Sequence, residues 1–99
     1  MKGFEKAYLR GVGQKQVTSI HVGKQGLSEA LLKEIDRQLE REELIKIRIA
    51  SFHKEKDDLA ARIAAESGAT VIGIVGHTLL LYRKHPEPKK RRIRLPVSD

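Results

Sequence analysis

Residues 44–50, Leu-Ile-Lys-Ile-Arg-Ile-Ala, set Ile45, Ile47 and Ile49 on one side of an extended chain and Lys46 and Arg48 on the other. A period of two belongs to a strand, because successive side chains of extended backbone point to opposite faces. Helical spacing flanks it on both sides. Upstream, Leu31, Leu32, Ile35 and Leu39 form one apolar stripe, with Ser28 placed as an N-cap and Glu29 in the first turn, where the helix dipole favours an acid. This predicts a helix through about Arg41. Downstream, Leu59, Ala60, Ile63 and Ala64 restore helical spacing from about Lys54 to Ser67, and Gly68 stands where a C-cap is needed.

The rest of the chain extends the alternation. Phe4, Ala7, Tyr8, Gly11 and Val12 recur at spacings of three and four, which predicts a short helix with Lys2, Lys6 and Arg10 on its other face, ended by Gly11 and Gly13. Residues 17–22 are β-prone and stop at Gly23-Lys24-Gln25-Gly26, a strand running into a tight loop. Residues 70–75 and 78–83 are two apolar strands separated by Gly76-His77, close enough for a hairpin. The order is α-β-α-β-α-β-β. The two strand–helix–strand steps should be right-handed crossovers between parallel strands and the last pair antiparallel, giving a small α/β domain with a four-stranded mixed sheet. Strand order is left open.

Ninety-nine residues suit one small domain with one modest core, and the absence of cysteine excludes a disulfide framework and a thiolate metal site. The opening residues never build an apolar run long enough for a signal peptide or a membrane span, so a cytoplasmic protein with no membrane partner is expected. The formal charge is +7. It is uneven: residues 1–28 hold five basic side chains against Glu5, residues 29–66 hold eight against ten acids, and residues 67–99 hold seven against Glu87 and Asp99. Basic charge gathered at both ends of a chain repels itself unless a polyanion relieves it, although solubility alone is also served by such a charge.

The loop Gly23, Lys24, Gln25, Gly26 lies between a strand and a capped helix. Two glycines let backbone approach a ligand, Lys24 adds charge, and amides at the start of the helix favour phosphate. A lone G-x-x-G more often marks a turn that feeds a helix. Residues 11–19 lack the spacing of a phosphate loop and precede a strand, so no nucleotide-binding loop is read there.

Three runs carry a resemblance: residues 22–28, Val-Gly-Lys-Gln-Gly-Leu-Ser; residues 43–49, Glu-Leu-Ile-Lys-Ile-Arg-Ile; and residues 74–83, Ile-Val-Gly-His-Thr-Leu-Leu-Leu-Tyr-Arg. Together they resemble the YhbY-type family of stand-alone CRM domains, in unbroken order over about residues 4–96. The resemblance implies an α/β domain similar to the C-terminal domain of translation initiation factor three, with a KH-like G-x-x-G loop on Gly23, Lys24, Gln25 and Gly26. It also implies RNA binding, with precursor large-subunit rRNA or pre-50S particles as the partner and a role in ribosome assembly. On this reading residues 1–84 are the CRM RNA-binding domain and residues 85–99 a basic C-terminal tail.

In that tail Pro86 and Pro88 end the preceding strand and favour an extended path, so Lys89, Lys90, Arg91 and Arg92 are expected to be solvated and mobile. They would contact phosphates with an affinity that falls steeply with salt, or else serve solubility. Ile93 and Leu95 share parity and offer a short docked strand. Lys2, Lys6 and Arg10 are candidates for the same RNA face. Aromatic residues are few, and Phe4, Tyr8, Phe52 and Tyr82 are expected mostly in the core, so recognition should rest on shape and backbone.

No enzyme is predicted. The four His are scattered without metal-ligand spacing and are expected at the surface or at strand ends, the serines lack a nucleophile-elbow motif, and Glu40, Glu42 and Glu43 read as solvated. No cofactor, metal or small-molecule substrate is expected. The competing reading is a small protein-interaction module whose basic face meets an acidic protein partner.

Overall fold

A computed structural model describes residues 1–16, 20–23, 25–50 and 53–95, with residues 53–55 described in backbone only. The elements are α1 (Gly3–Gly13), β1 (Ile20–Val22), α2 (Glu29–Glu42), β2 (Leu44–Ile49), α3 (His53–Ser67), β3 (Thr70–Val75), β4 (Thr78–Tyr82) and a 3-10 turn at Pro88–Lys90. The order matches the sequence reading, and the part of the first strand assigned to residues 17–19 lies outside the described residues.

The sheet runs β1-β2-β4-β3. β1 pairs parallel to β2, while β4 is antiparallel to both β2 and β3. β2 and β3 therefore point the same way, as a crossover requires, but the hairpin folds β4 back between them. Gly76 turns the hairpin at φ +60° and Gly68 ends α3 at φ +71°, positions where a side chain would be strained. In β3 the register shifts between Val71 and Gly73, so Ile72 is an extra residue. This bulge lets Ile72 enter the core on one face while Val71 and Ile74 pack on the other.

Helices lie on both faces of the sheet. Ile45, Ile47 and Ile49 meet Ile35 and Leu39 of α2 and Ala60 and Ile63 of α3, which confirms the alternation of β2 and the stripes on its flanking helices. The Ser28 hydroxyl accepts the Leu31 amide at 3.1 Å as the expected N-cap. On the opposite face α1 covers only part of the sheet, where Leu9 packs with Leu44, Ile72, Leu80 and Tyr82.

The face assigned to α1 from spacing is corrected. Leu9 and Gly13 are buried and Val12 half-buried, whereas Phe4, Ala7, Tyr8 and Gly11 are exposed. The reason is close approach: a Cβ on Gly13 would stand 2.7 Å from Leu80 Cδ2, so α1 lies on the sheet through its smallest residue. Gly11 does not end the helix, which continues to Gly13.

Two further residues depart from expectation. Glu43, read as solvated, is fully buried, with φ 65° between α2 and β2, and His85 is buried as well. The Glu43 carboxylate accepts the amides of His85 at 2.8 Å, Ile93 at 2.9 Å and Arg92. Residues 85–93 thus turn back around one side chain, with a 3-10 turn where an extended path was expected. Ile93 and Leu95 pack against the α1 side of the core, without forming a strand.

Candidate functional site

β1 rises through Val22, opposite Ile49, and delivers the chain into the glycine loop at the C-terminal end of β2. The Gly26 amide donates to the Gly23 carbonyl at 3.0 Å, closing a tight turn, and Gly26 takes φ +79°. Gly26 is thus a conformational glycine. Gly23 is not: its φ is not positive and a Cβ there would meet nothing within 4 Å. Gly23 and Gln25 are exposed, and Lys24 lies outside the described residues. α2 opens directly beyond the loop, with its Leu31 amide already capped by Ser28. The hairpin turn reaches the same end, because the Ile49 amide donates to the His77 carbonyl and the buried Lys56 ammonium of α3 donates to the Gly76 carbonyl.

The sheet face that α1 leaves uncovered is basic. His21, Arg48, Thr78 and Val75 occupy consecutive register positions across all four strands, one residue below the loop end. Below them Lys46, Leu80 and Gly73 form a second row. None of the four strands contains an acidic residue. Arg10, exposed on the last turn of α1, reaches this face, and its side chain lines a cleft of about 260 Å³ with Lys46, Gly73 and Thr78. Basic side chains thus share a face whose strands carry no acid.

The tail is the second basic region. Lys84, Arg91, Arg92 and Arg94 line one hollow of about 560 Å³. Some of these charges are engaged within the chain: Arg91 Nε donates to the His85 carbonyl at 2.8 Å, Lys90 is 3.5 Å from Glu87, and Arg92 is 4.0 Å from Glu42. Burial pushes the Glu43 carboxyl up, but the His85, Ile93 and Arg92 amides outweigh it and hold the group below its ordinary value. Burial raises the Tyr82 phenol, with Glu43 and Glu5 adding to the shift and Arg91 opposing it, which sets the start of α1 and the tail around one end of β4. Arg83 closes that end by donating to the Asp36 carboxylate, to the Ser67 carbonyl at 2.8 Å and to the Asp36 carbonyl at 3.0 Å.

The candidate residues therefore fall into two groups. Gly23, Gln25 and Gly26 stand at the loop end of the sheet, after β1, and Arg10 lies against Gly73 on the same face as Lys46 and Thr78, toward the β3 edge. Lys2 and the half-buried Lys6, in the first half of α1, lie toward the other end, as do the exposed Lys89, Lys90, Arg91 and Arg92. Glu43 anchors the tail just before β2 and the loop adjoins the last residue of β2, so the six residues of that strand set them about 20 Å apart. The sequence reads Lys46 and Arg48 either as an extension of the RNA face across the sheet or as the exposed side of a strand, and does not single out His21, Lys84 and Arg94 for RNA. The parity of β1 and β2 carried the signal for the first three, since side chains opposite the buried isoleucines must share a face. Among the described residues no cluster of three or more His, Cys, Asp or Glu could hold a metal ion, and no helix is long and apolar enough to cross a membrane.

A four-stranded mixed sheet with two helices on one face, one helix on half of the other, and an acid-free basic surface beside a glycine turn defines a small α/β domain suited to meeting a polyanion. The family model of the CRS1/YhbY (CRM) domain matches residues 1–83, and the chain belongs to that family. This is the family that the three sequence runs resemble. A protein of Methanocaldococcus jannaschii named a probable RNA-binding protein is 33% identical over 99 residues, covering 97% of this chain and 73% of that one. An RNA-binding protein of Haemophilus influenzae is 34% identical over 93 residues, covering 93% and 91%. The solution structure of a hypothetical protein from Staphylococcus aureus matches this fold with a TM-score of 0.83 at 29% identity, over 97% of this chain and 99% of that one.

Proposed function

We propose that this protein binds structured RNA through its sugar–phosphate backbone and assists assembly of the large ribosomal subunit by associating with its precursors. The observation that carries RNA binding is the acid-free sheet face beside the glycine loop, where His21, Arg48, Lys46 and Arg10 converge. Phosphates are met there by cations, and the loop backbone at Gly23 is open to close approach. The names of the relatives in Methanocaldococcus jannaschii and Haemophilus influenzae support RNA as the partner. The precursor particle as target rests on the resemblance of residues 22–28, 43–49 and 74–83 to YhbY-type proteins. Residues 1–84 carry the loop and the sheet face; the tail, residues 85–99, supplies a second set of phosphate contacts through Lys89, Lys90, Arg91 and Arg92. Lys2 and Lys6 extend the second region, and Lys24 belongs to the loop.

A filter-binding titration of precursor and unrelated RNA over a salt series tests the first claim. Log affinity should fall linearly with log salt, and Lys24→Glu should weaken binding to every RNA alike without altering the melting temperature. Gly23→Ala should fold like the parent yet bind more weakly, whereas Gly26→Ala should cost stability by about 1 kcal/mol. Affinity that is absent at low salt or indifferent to salt refutes the reading. Co-sedimentation with ribosomal particles from the source cell tests the assembly role. Exposed Phe4 and Tyr8, one turn apart on α1, favour a second reading in which an apolar-tipped basic surface meets an acidic protein.

A further inference from the structure

We propose that the cleft between the last turn of α1 and the sheet holds one unpaired nucleotide of an RNA strand, with its base against Leu80 and Gly73 and its phosphate on Arg10 and Lys46. The inference deepens the RNA-binding reading and rests on it. The cleft, about 260 Å³, is smaller than the roughly 300–1,000 Å³ typical of pockets for drug-sized ligands, which suits a single ring system. Its floor is apolar and its rim adds Gln14 and Thr78, whose amide and hydroxyl both donate and accept, as a base edge requires. No acid lines it. Arg10 makes no ion pair among the described residues, and a guanidinium can stack on a base as well as bind phosphate.

Gly73 gives an independent indication. Its φ is not positive, and a Cβ there would stand 3.6 Å from Arg10 Cδ, an ordinary contact. Neither backbone conformation nor packing demands glycine at that position; what the missing side chain provides is open floor. Beyond the cleft, Thr78 continues into the row of Arg48 and His21 that leads to the glycine loop. Arg48 thus stands where a phosphate flanking a captured nucleotide would run, which favours a strand of RNA over a free nucleotide.

The test uses the full chain and three probes: an unpaired RNA octamer, the same backbone without bases, and a nucleoside monophosphate. The octamer should bind about tenfold more tightly than the abasic strand, the scale of one base contact, and the monophosphate should compete only weakly. Gly73→Val and Thr78→Ile fill the cleft without changing charge and suit a strand. Each should erase most of that preference while leaving abasic affinity and the salt slope intact. Should one variant fail to fold, the other decides; should both fail, the parent's own amides do, because those of Gly13, Gly73 and Thr78 should shift further with the octamer than with the abasic strand, and equal shifts overturn the cleft. Equal, salt-dependent binding of octamer and abasic strand overturns the cleft while leaving RNA binding standing. Folded variants that keep the preference overturn it too, as does a monophosphate that competes as well as the octamer. If neither strand nor structured RNA binds at low salt, the RNA reading falls and the cleft with it.

Discussion

Glu43 shows how much one side chain can organise. It bridges α2 and β2 at φ 65°, and its carboxylate takes three amides from a segment more than forty residues away. Folding leaves its pKa below the ordinary carboxylate value, so the unfolded chain takes up a proton first as the solution is acidified. The contribution to stability is complete above the unfolded value and is lost as pH falls through the lowered folded one. Glu43→Gln should flatten that acid limb in urea titrations run from pH 6 to pH 3. Glu43→Ala should cost on the order of 3 kcal/mol at neutral pH, because three amides lose their acceptor. An acid limb as steep in Glu43→Gln as in the parent would show that other carboxylates govern it.

At the scale of elements, α1 separates pattern from packing. Leu9→Ala should destabilise by about 2–5 kcal/mol, the usual cost of a buried leucine, and Tyr8→Ala by less than about 1 kcal/mol, since Tyr8 is exposed. Chemical denaturation of the two variants checks this, and the opposite ranking would return α1 to the face its apolar spacing suggested. That spacing was ambiguous because Phe4, Ala7, Tyr8 and Gly11 form one helical stripe and Leu9, Val12 and Gly13 another, and contacts with distant strands, Leu80 against Gly13 among them, select between them. The other helices and strands were legible: β2 alternates from Ile45 to Ile49, Ser28 caps α2, and Gly68 and Gly76 mark reversals. Glu43 was not. A lone acid beside Glu40 and Glu42 looks solvated until the tail that covers it is in place. That His21 stands beside Arg48 was not legible for a similar reason, because strand parity is local whereas the adjacency of β1 and β2 is not.

For the whole molecule, the position of the tail is the main consequence of the fold. Truncation after Lys84 removes all three amide donors to Glu43 together with Ile93 and Leu95, so the shortened chain should melt at least 10 °C below the parent by circular dichroism. An unchanged melting temperature would show that residues 1–84 are self-sufficient. The bulge in β3 bears on a different property. β3 is an outer strand of the sheet, and a second chain approaching it would need an unbroken series of matching amides and carbonyls; the extra residue at Ile72 interrupts that series in mid-strand. The same irregularity that sends Ile72 inward therefore discourages copies of the protein from joining edge to edge along β3, guarding a concentrated solution against fibre growth from that side.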